Sequence, residues 1–243
     1  MAWPLRLQVC LLQMLFMEKN MKRGQGGFTL VEIAIVLVII GLLLGGILKG
    51  QEMITQAKIK NVIADISGVS AAMYGYQDRY RALPGDDKLA ARWTGATAGN
   101  GDGVLEGAYI DGAVESMNFW DHLRRAGFVT GGNGATNPFN AVNGKMGVQT
   151  SDGTAPGGAS FKAGVLSDGA ATPTVFTSLL LCSANLPDKI AISIDAQMDD
   201  GDGKKGSVRA QKQASPNPDL TSEGAGDSYT EDGVSSYVVC RQL

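Results

Sequence analysis

One histidine, His122, and three cysteines are spread over 243 residues. That scarcity excludes a four-cysteine zinc site and a catalytic metal centre built from several histidines. Charge is thin as well: 19% of residues are ionised, against roughly 25% in an average soluble protein. A basic excess is missing, since the net charge is -3 and the pI near 5.2. A chain-wide footprint for nucleic acid is therefore not expected. No G-x-S-x-G elbow occurs, and no nucleophile is spaced convincingly against His122. His122 follows Asp121 on an amphipathic stretch, Met117 to Phe128, where helix-face or surface packing is expected of it rather than general-base chemistry. The apparatus of an enzyme is not visible.

What is abundant is glycine, with 33 residues, and an apolar run. Residues 1–27 carry Arg6, Lys19, Lys22 and Arg23 against Glu18 alone, so a basic leader precedes an acidic body. Between them lies Phe28 to Leu48, F-T-L-V-E-I-A-I-V-L-V-I-I-G-L-L-L-G-G-I-L, with Glu32 its single ionisable side chain. At about 1.5 Å per helical residue this run covers the ~30 Å hydrocarbon layer. It is expected to span a bilayer, because it has no polar face to suit a surface helix. Lysines on both sides of the span leave the positive-inside count near a tie. Cys182 and Cys240 both fall in the body and are most simply a disulfide, which needs an oxidising compartment; two buried free thiols are the alternative. The leader lacks a small-x-small cleavage site and does not read as a secretory signal peptide. Met17 and Met21 offer later starts, and beginning at Met21 gives M-K-R-G-Q-G-G, with residues 1–20 untranslated.

Gly26 and Gly27, followed by Phe28, Thr29, Leu30, Val31 and Glu32 and then by the apolar run, resemble the processing site of type IV pilins and type II secretion pseudopilins. The resemblance is strong over Lys22 to about Leu48 and general beyond. It implies cleavage between Gly27 and Phe28 by a prepilin peptidase, which also methylates the new amino terminus at Phe28. It implies further partners: an inner-membrane assembly platform, other pilin or pseudopilin subunits, and the lipid bilayer. The chain is then single-pass in the inner membrane, its amino terminus cytoplasmic and its head periplasmic, before entering a filament.

A carboxylate within an apolar span costs about 2.5 to 3.5 kcal/mol on insertion scales, so Glu32 is expected to have a partner or a function. In the family reading it neutralises the Phe28 amine of a neighbouring subunit and sets axial register. An intramolecular contact four residues apart and snorkelling to the interface are the alternatives. Gly41 with Gly45, and Gly46 with Gly50, place small residues where helix backbones can approach closely. Lys49 stands where many relatives carry proline, so any local melting of the helix rests on these glycines.

Past the span, Ile59, Val62, Ile66, Val69, Met73, Tyr76 and Tyr80 recur at spacings of three and four, one apolar stripe on a continuing helix that should end near Leu83-Pro84-Gly85. More than half of the glycines fall between residues 95 and 170 and read as long loops around one short helix. Val175 to Cys182, Lys189 to Ile194, Ser207 to Gln211 and Ser235 to Cys240 read as short strands. The expected architecture is α+β and pilin-like: a leader (1–27), a transmembrane half-helix (28–48), an amphipathic half-helix (49–83), and a head (84–243) in which the helix packs on an antiparallel sheet with long glycine-rich loops.

Two acidic glycine clusters have the oxygen-rich turns that calcium favours: Asn100 to Gly103, and Asp195 with Asp199, Asp200 and Asp202. Neither fits an EF-hand, and solvated turns are the competing reading. Lys204, Lys205, Arg209 and Lys212 form a basic cluster, read as a soluble hairpin rather than a nucleic-acid contact. The expected function is that of a prepilin-processed filament subunit, the size of its body placing it among minor components. The alternatives are a filament-tip adhesin or calcium-bearing contact subunit, and a signal-anchored periplasmic enzyme.

Overall fold

The computed structural model describes residues 29–110, 115–151, 153, 164–171, 174–218, 220 and 226–243. It divides into two compact units, Met1–Gln51 and Glu52–Leu243. The first helix, α1 (Leu30–Tyr80), is continuous across that division. It is long and apolar enough to cross a membrane, and its most apolar window is wholly unburied.

The second half of α1 buries the stripe expected of it: Ile59, Val62, Ile66, Val69, Met73 and Tyr76, joined by Ala72, while Tyr80 is half-buried. The helix stops a little before the proline. Arg81 adopts φ +54°, and its N–H bonds back to Gln77 O at 2.8 Å, closing the last turn. A single 3₁₀ turn follows at Ala90–Arg92, and then α2 (Glu115–Arg125), starting two residues before the expected helix and ending three before its limit.

Four antiparallel strands form one sheet in the order β1-β2-β4-β3: β1 (Met146–Thr150), β2 (Leu179–Pro187), β3 (Val208–Lys212) and β4 (Ser236–Gln242). The architecture is α+β, a long amino-terminal helix and a carboxy-terminal sheet, as the pilin-like expectation requires. Both sheet faces are covered. Leu181, Tyr237 and Val239 belong to the core shared with α1, α2 and α3 (Asp188–Met198), whereas Leu180, Cys182, Ala184, Val238 and Cys240 pack with Tyr109, Val165, Leu166 and Phe176. Double coverage is why Leu179–Cys182 of β2 and Tyr237–Cys240 of β4 read as short apolar runs rather than alternating ones. The edges are covered too. Ala210 on β3 exchanges backbone bonds with Gly203 and Asp227, and on β1 Met146 N–H bonds to Pro138 O while Asn137 donates to Met146 O.

Two expectations need correction, and one strand was not foreseen. Lys189 to Ile194 is helical, the middle of α3: Asp188, Ile190, Ala191, Ile194 and Asp195 are buried at helical spacing, and Asp188 sits in the first turn. The strand placed at Val175 to Cys182 begins at Leu179 and runs on to Pro187, with Phe176 making only an isolated bridge to Val165. Strand β1 had no counterpart in the sequence reading. Gly147 within it is required, because a Cβ there would collide with the carbonyl of Tyr109 crossing over it.

Candidate functional site

Among the described residues, two groups of carboxylates converge with their oxygens within 4.8 Å of one another: Asp195, Asp199 and Asp200, and separately Asp86, Asp102 and Glu115. In the first, Asp195 at the end of α3 is wholly buried and accepts from Tyr229 OH at 2.7 Å and Gly201 N–H at 3.1 Å. Burial, outweighing those bonds, pushes its carboxyl up to about 6. Asp199 accepts the N–H groups of Ser207 and Val208 where β3 begins. Asp202 does not join the group; it caps Lys204 N–H and pairs with Lys205 at 3.5 Å.

The second group was only half visible in the sequence. Asp102 lies in the expected turn, but Asp86 comes from the segment after α1 and Glu115 from the first turn of α2. Asp86 accepts from Gly101 N–H and, at 2.7 Å, from Gly103 N–H; Glu115 accepts from Asn100 N–H at 2.9 Å. Both are buried, and burial is the first cause of a Glu115 carboxyl pushed up to about 7, with the charge of Asp86 adding to it. No local spacing rule joins residues 86, 102 and 115. An acidic residue opening a helix beside a glycine-rich acidic turn was the one available signal.

His122 is a strut. It is fully buried on α2, its Nδ1 accepts from Gly85 N–H at 2.8 Å, and its Nε2 lies 2.8 Å from Thr97 O. Both ring nitrogens are occupied by backbone, so the surface alternative is set aside. The basic cluster also dissolves. Arg209 is buried under Phe176 and donates to Leu166 O at 2.7 Å and Thr174 O at 2.8 Å, leaving Lys204, Lys205 and Lys212 without it. Cys182 and Cys240 are bonded, directly opposite each other on β2 and β4 and both wholly buried. Free thiols are thus excluded.

At the other end of the chain, Gly27 and Phe28 lie outside the described residues, as does the rest of the leader. Thr29 and Glu32 open α1. Thr29 N–H and Thr29 Oγ1–H both donate to Glu32 Oε2, at 2.8 and 2.9 Å, and Glu32 N–H returns a bond to Thr29 Oγ1 at 3.3 Å. This is a capping box, in which an N-cap threonine and the acid three residues on satisfy each other's orphan groups. Downstream, Gly41, Gly45, Gly46 and Gly50 sit on uninterrupted helix with open space where each Cβ would be. Around them Leu30, Leu42 and Leu48 are more than two-thirds exposed. Residues 22–48 match the model of the prokaryotic N-terminal methylation motif.

The chain carries the type IV pilin and pseudopilin signature. No curated protein and no solved structure matches it. The signature takes in Gly27, Phe28, Glu32, Gly41, Gly45 and Gly46 and stops short of Gly50. It supports a membrane-anchored, pilin-type subunit handled by a prepilin peptidase. The disulfide, the apolar helix and the sheet accompany it in the same chain.

Proposed function

We propose that this chain is a minor subunit of a type IV pilus or a type II secretion pseudopilus. Cleavage falls between Gly27 and Phe28, Phe28 is methylated, and the mature α1 is drawn from the inner membrane into a helical stack. The observation that carries this reading is the methylation motif at residues 22–48, which takes in the first part of α1, whose most apolar window is unburied among the described residues. Glu32 then docks the amino terminus of an adjacent subunit, and Gly41, Gly45, Gly46 and Gly50 admit close helix approach. The buried Cys182 to Cys240 bond supports a head in an oxidising compartment, and hence a periplasmic head and a cytoplasmic leader. Mass spectrometry of the mature protein tests the assignment: an amino-terminal methylphenylalanine is expected, and an intact leader overturns it.

A second reading, a calcium-bearing contact subunit, is favoured by one observation. Asp86, Asp102 and Glu115 bring three carboxylates together from three parts of the chain, two of them buried. The Asp195, Asp199 and Asp200 group stands beside it as the other candidate, with Asp202 outside it. The charge of a divalent cation would offset the cost of burying Glu115 and Asp86 side by side. Calorimetric titration of the full chain in detergent with calcium is expected to show one site that Glu115→Gln removes; no heat of binding would end this reading.

A further inference from the structure

His122 is placed where its protonation state decides a backbone contact. An amide N–H can only donate and a carbonyl can only accept, so a ring that accepts from Gly85 N–H and faces Thr97 O must carry its single proton on Nε2. The ring is wholly buried, stacked 6.4 Å from Tyr76 of α1 and tilted 6.3 Å from Trp93. One imidazole thus fixes both ends of residues 85–97 to α2. A second proton has one place to go, Nδ1, and there it points at the N–H of Gly85.

The charged groups around the ring do not welcome that proton. From the segment itself, Asp87 is taken up by Arg92 at 2.8 Å, by Tyr76 OH at 2.7 Å and by Leu89 N–H. Asp86 is held by Gly101 and Gly103, and Lys88 packs its stem against Gly101. From α2, Asp121 is paired with Arg125 at 2.7 Å and accepts from Gly134 N–H, while Glu115 accepts from Asn100 N–H. Arg124, also on α2, donates to Gly134 O and Thr136 O. Every carboxylate near the ring already has a donor. Burial accordingly holds the imidazole below the ordinary histidine range, against the pull of Thr97 O, Asp87 and Asp121.

Gly85 cannot easily find another acceptor. It has φ +92°, and a Cβ on it would strike Glu115 O, so its backbone is seated directly on α2. Losing the ring nitrogen leaves a buried donor unpaired unless the segment lifts. The same segment forms a wall of a cavity of about 540 Å³ lined by Tyr80, Leu83, Asp86, Asp87, Lys88 and Gly101.

We propose that His122 is a pH-operated latch: neutral, it clamps both ends of residues 85–97 onto α2, and protonated at Nδ1 it lets go of their Gly85 end, which borders the cavity, while Nε2–H keeps its bond to Thr97 O. The inference stands on the head alone; only its use, sensing the acidity of the compartment outside the inner membrane, rests on the periplasmic placement above. Because the chain has one histidine, ring-¹⁵N labelling of full-length protein in detergent gives a single pair of signals. At pH 7.5 they should report the Nε2–H tautomer. As the ring titrates on acidification, the protection factor of the Gly85 amide should fall at least tenfold, while amides of β2 and β4 stay protected. His122→Asn, whose side-chain oxygen can accept from Gly85 without titrating, should keep that protection at low pH. The latch is overturned if the ring is the Nδ1–H tautomer at pH 7.5, if Gly85 stays protected after the ring has titrated, or if β2 and β4 open together with Gly85. Should His122→Asn fold poorly, the wild-type titration decides by itself.

Discussion

Thr29 and Glu32 cap each other: the backbone N–H and hydroxyl of the threonine converge on one carboxylate oxygen, and the acid's own N–H returns to the hydroxyl. The acid is therefore engaged before any neighbour arrives. Expected from the sequence to meet a neighbouring subunit's amine, to make an intramolecular contact or to snorkel, Glu32 caps the start of α1. A cationic terminus docked onto it would add a partner at Oε1, which takes no hydrogen bond among the described residues, without first breaking the cap.

This predicts a split between two variants. Thr29→Ala removes the cap and should weaken the helix start by about 1 kcal/mol, leaving a charge at Glu32 and a reduced but measurable yield of sheared filaments. Glu32→Ala removes the charge and the carboxylate half of the box, leaving the backbone bond to Thr29 Oγ1, and should abolish filaments while cleavage at Gly27 persists. Immunoblots of sheared fractions beside mass spectrometry of the membrane form separate the two. Equal loss in both variants would mean the cap, not the charge, is what assembly needs.

Two glycines of opposite character make a second test. Gly147 lies under the Tyr109 carbonyl, so Gly147→Ala must displace backbone in the centre of the head and should cost about 3 kcal/mol, read as a lower denaturation midpoint. Gly45 has nothing near its missing Cβ. Gly45→Ala should strengthen the isolated helix by up to about 1 kcal/mol, visible as added helicity in detergent, and yet lower filament yield. If filament yield is unchanged, the open face at Gly45 is not a packing face.

The disulfide offers a third. It closes a loop with a sequence separation of 58 residues, worth about 4 kcal/mol in the chain-entropy model. Replacing both cysteines by alanine should lower the stability of the head by a comparable amount. Since both sulfurs are wholly buried, the native bond should resist reductant until the head unfolds. Alkylation after mild reduction, followed by mass spectrometry, checks accessibility directly.

What the sequence revealed, and what it did not, follows from the range of the interactions involved. The α1 stripe was legible because Ile59 through Tyr76 keep one period over several turns, and the paired cysteines because two isolated thiols have few alternatives. Lys189 to Ile194 misled because its isoleucines at 190, 192 and 194 alternate like a strand, while Ile190, Ala191 and Ile194 also share a helix face. Pro187 and Asp188, an entry signal for a helix, were the clue to the right answer. Strand β1 hid behind Gly147 and Gln149, whose reasons for being there are Tyr109 O and Tyr109 N–H some 40 residues away in sequence. Asp86 and Glu115 were missed for the same cause, since each meets Asp102 only through the fold.

The buried carboxylates set a pH dependence whose sign is fixed by their direction of shift. Glu115 is raised from 4.5 to about 7 and Asp195 from 3.8 to about 6, each chiefly by burial. Across that interval the folded chain holds protons that the unfolded chain releases, so these two groups lower stability as the pH rises from about 4 through 7. His122 acts the other way. Its folded value lies below the ordinary 6.5, so it lowers stability as the pH falls beneath that point. Thermal midpoints of the full chain in detergent should therefore fall as the pH rises from about 4.5 through 7, the two carboxylates outweighing the single imidazole. Glu115→Gln should remove about half of that loss, Asp195 carrying the rest, and His122→Asn should make the fall steeper below about pH 6.5. If calcium occupies the Asp86, Asp102 and Glu115 group, adding it at pH 7.5 should restore the wild-type midpoint but leave Glu115→Gln where it was. A midpoint that rises steadily from pH 5 to pH 8 in the wild type would mean that Glu115 and Asp195 ionise without cost, and that burial does not control them.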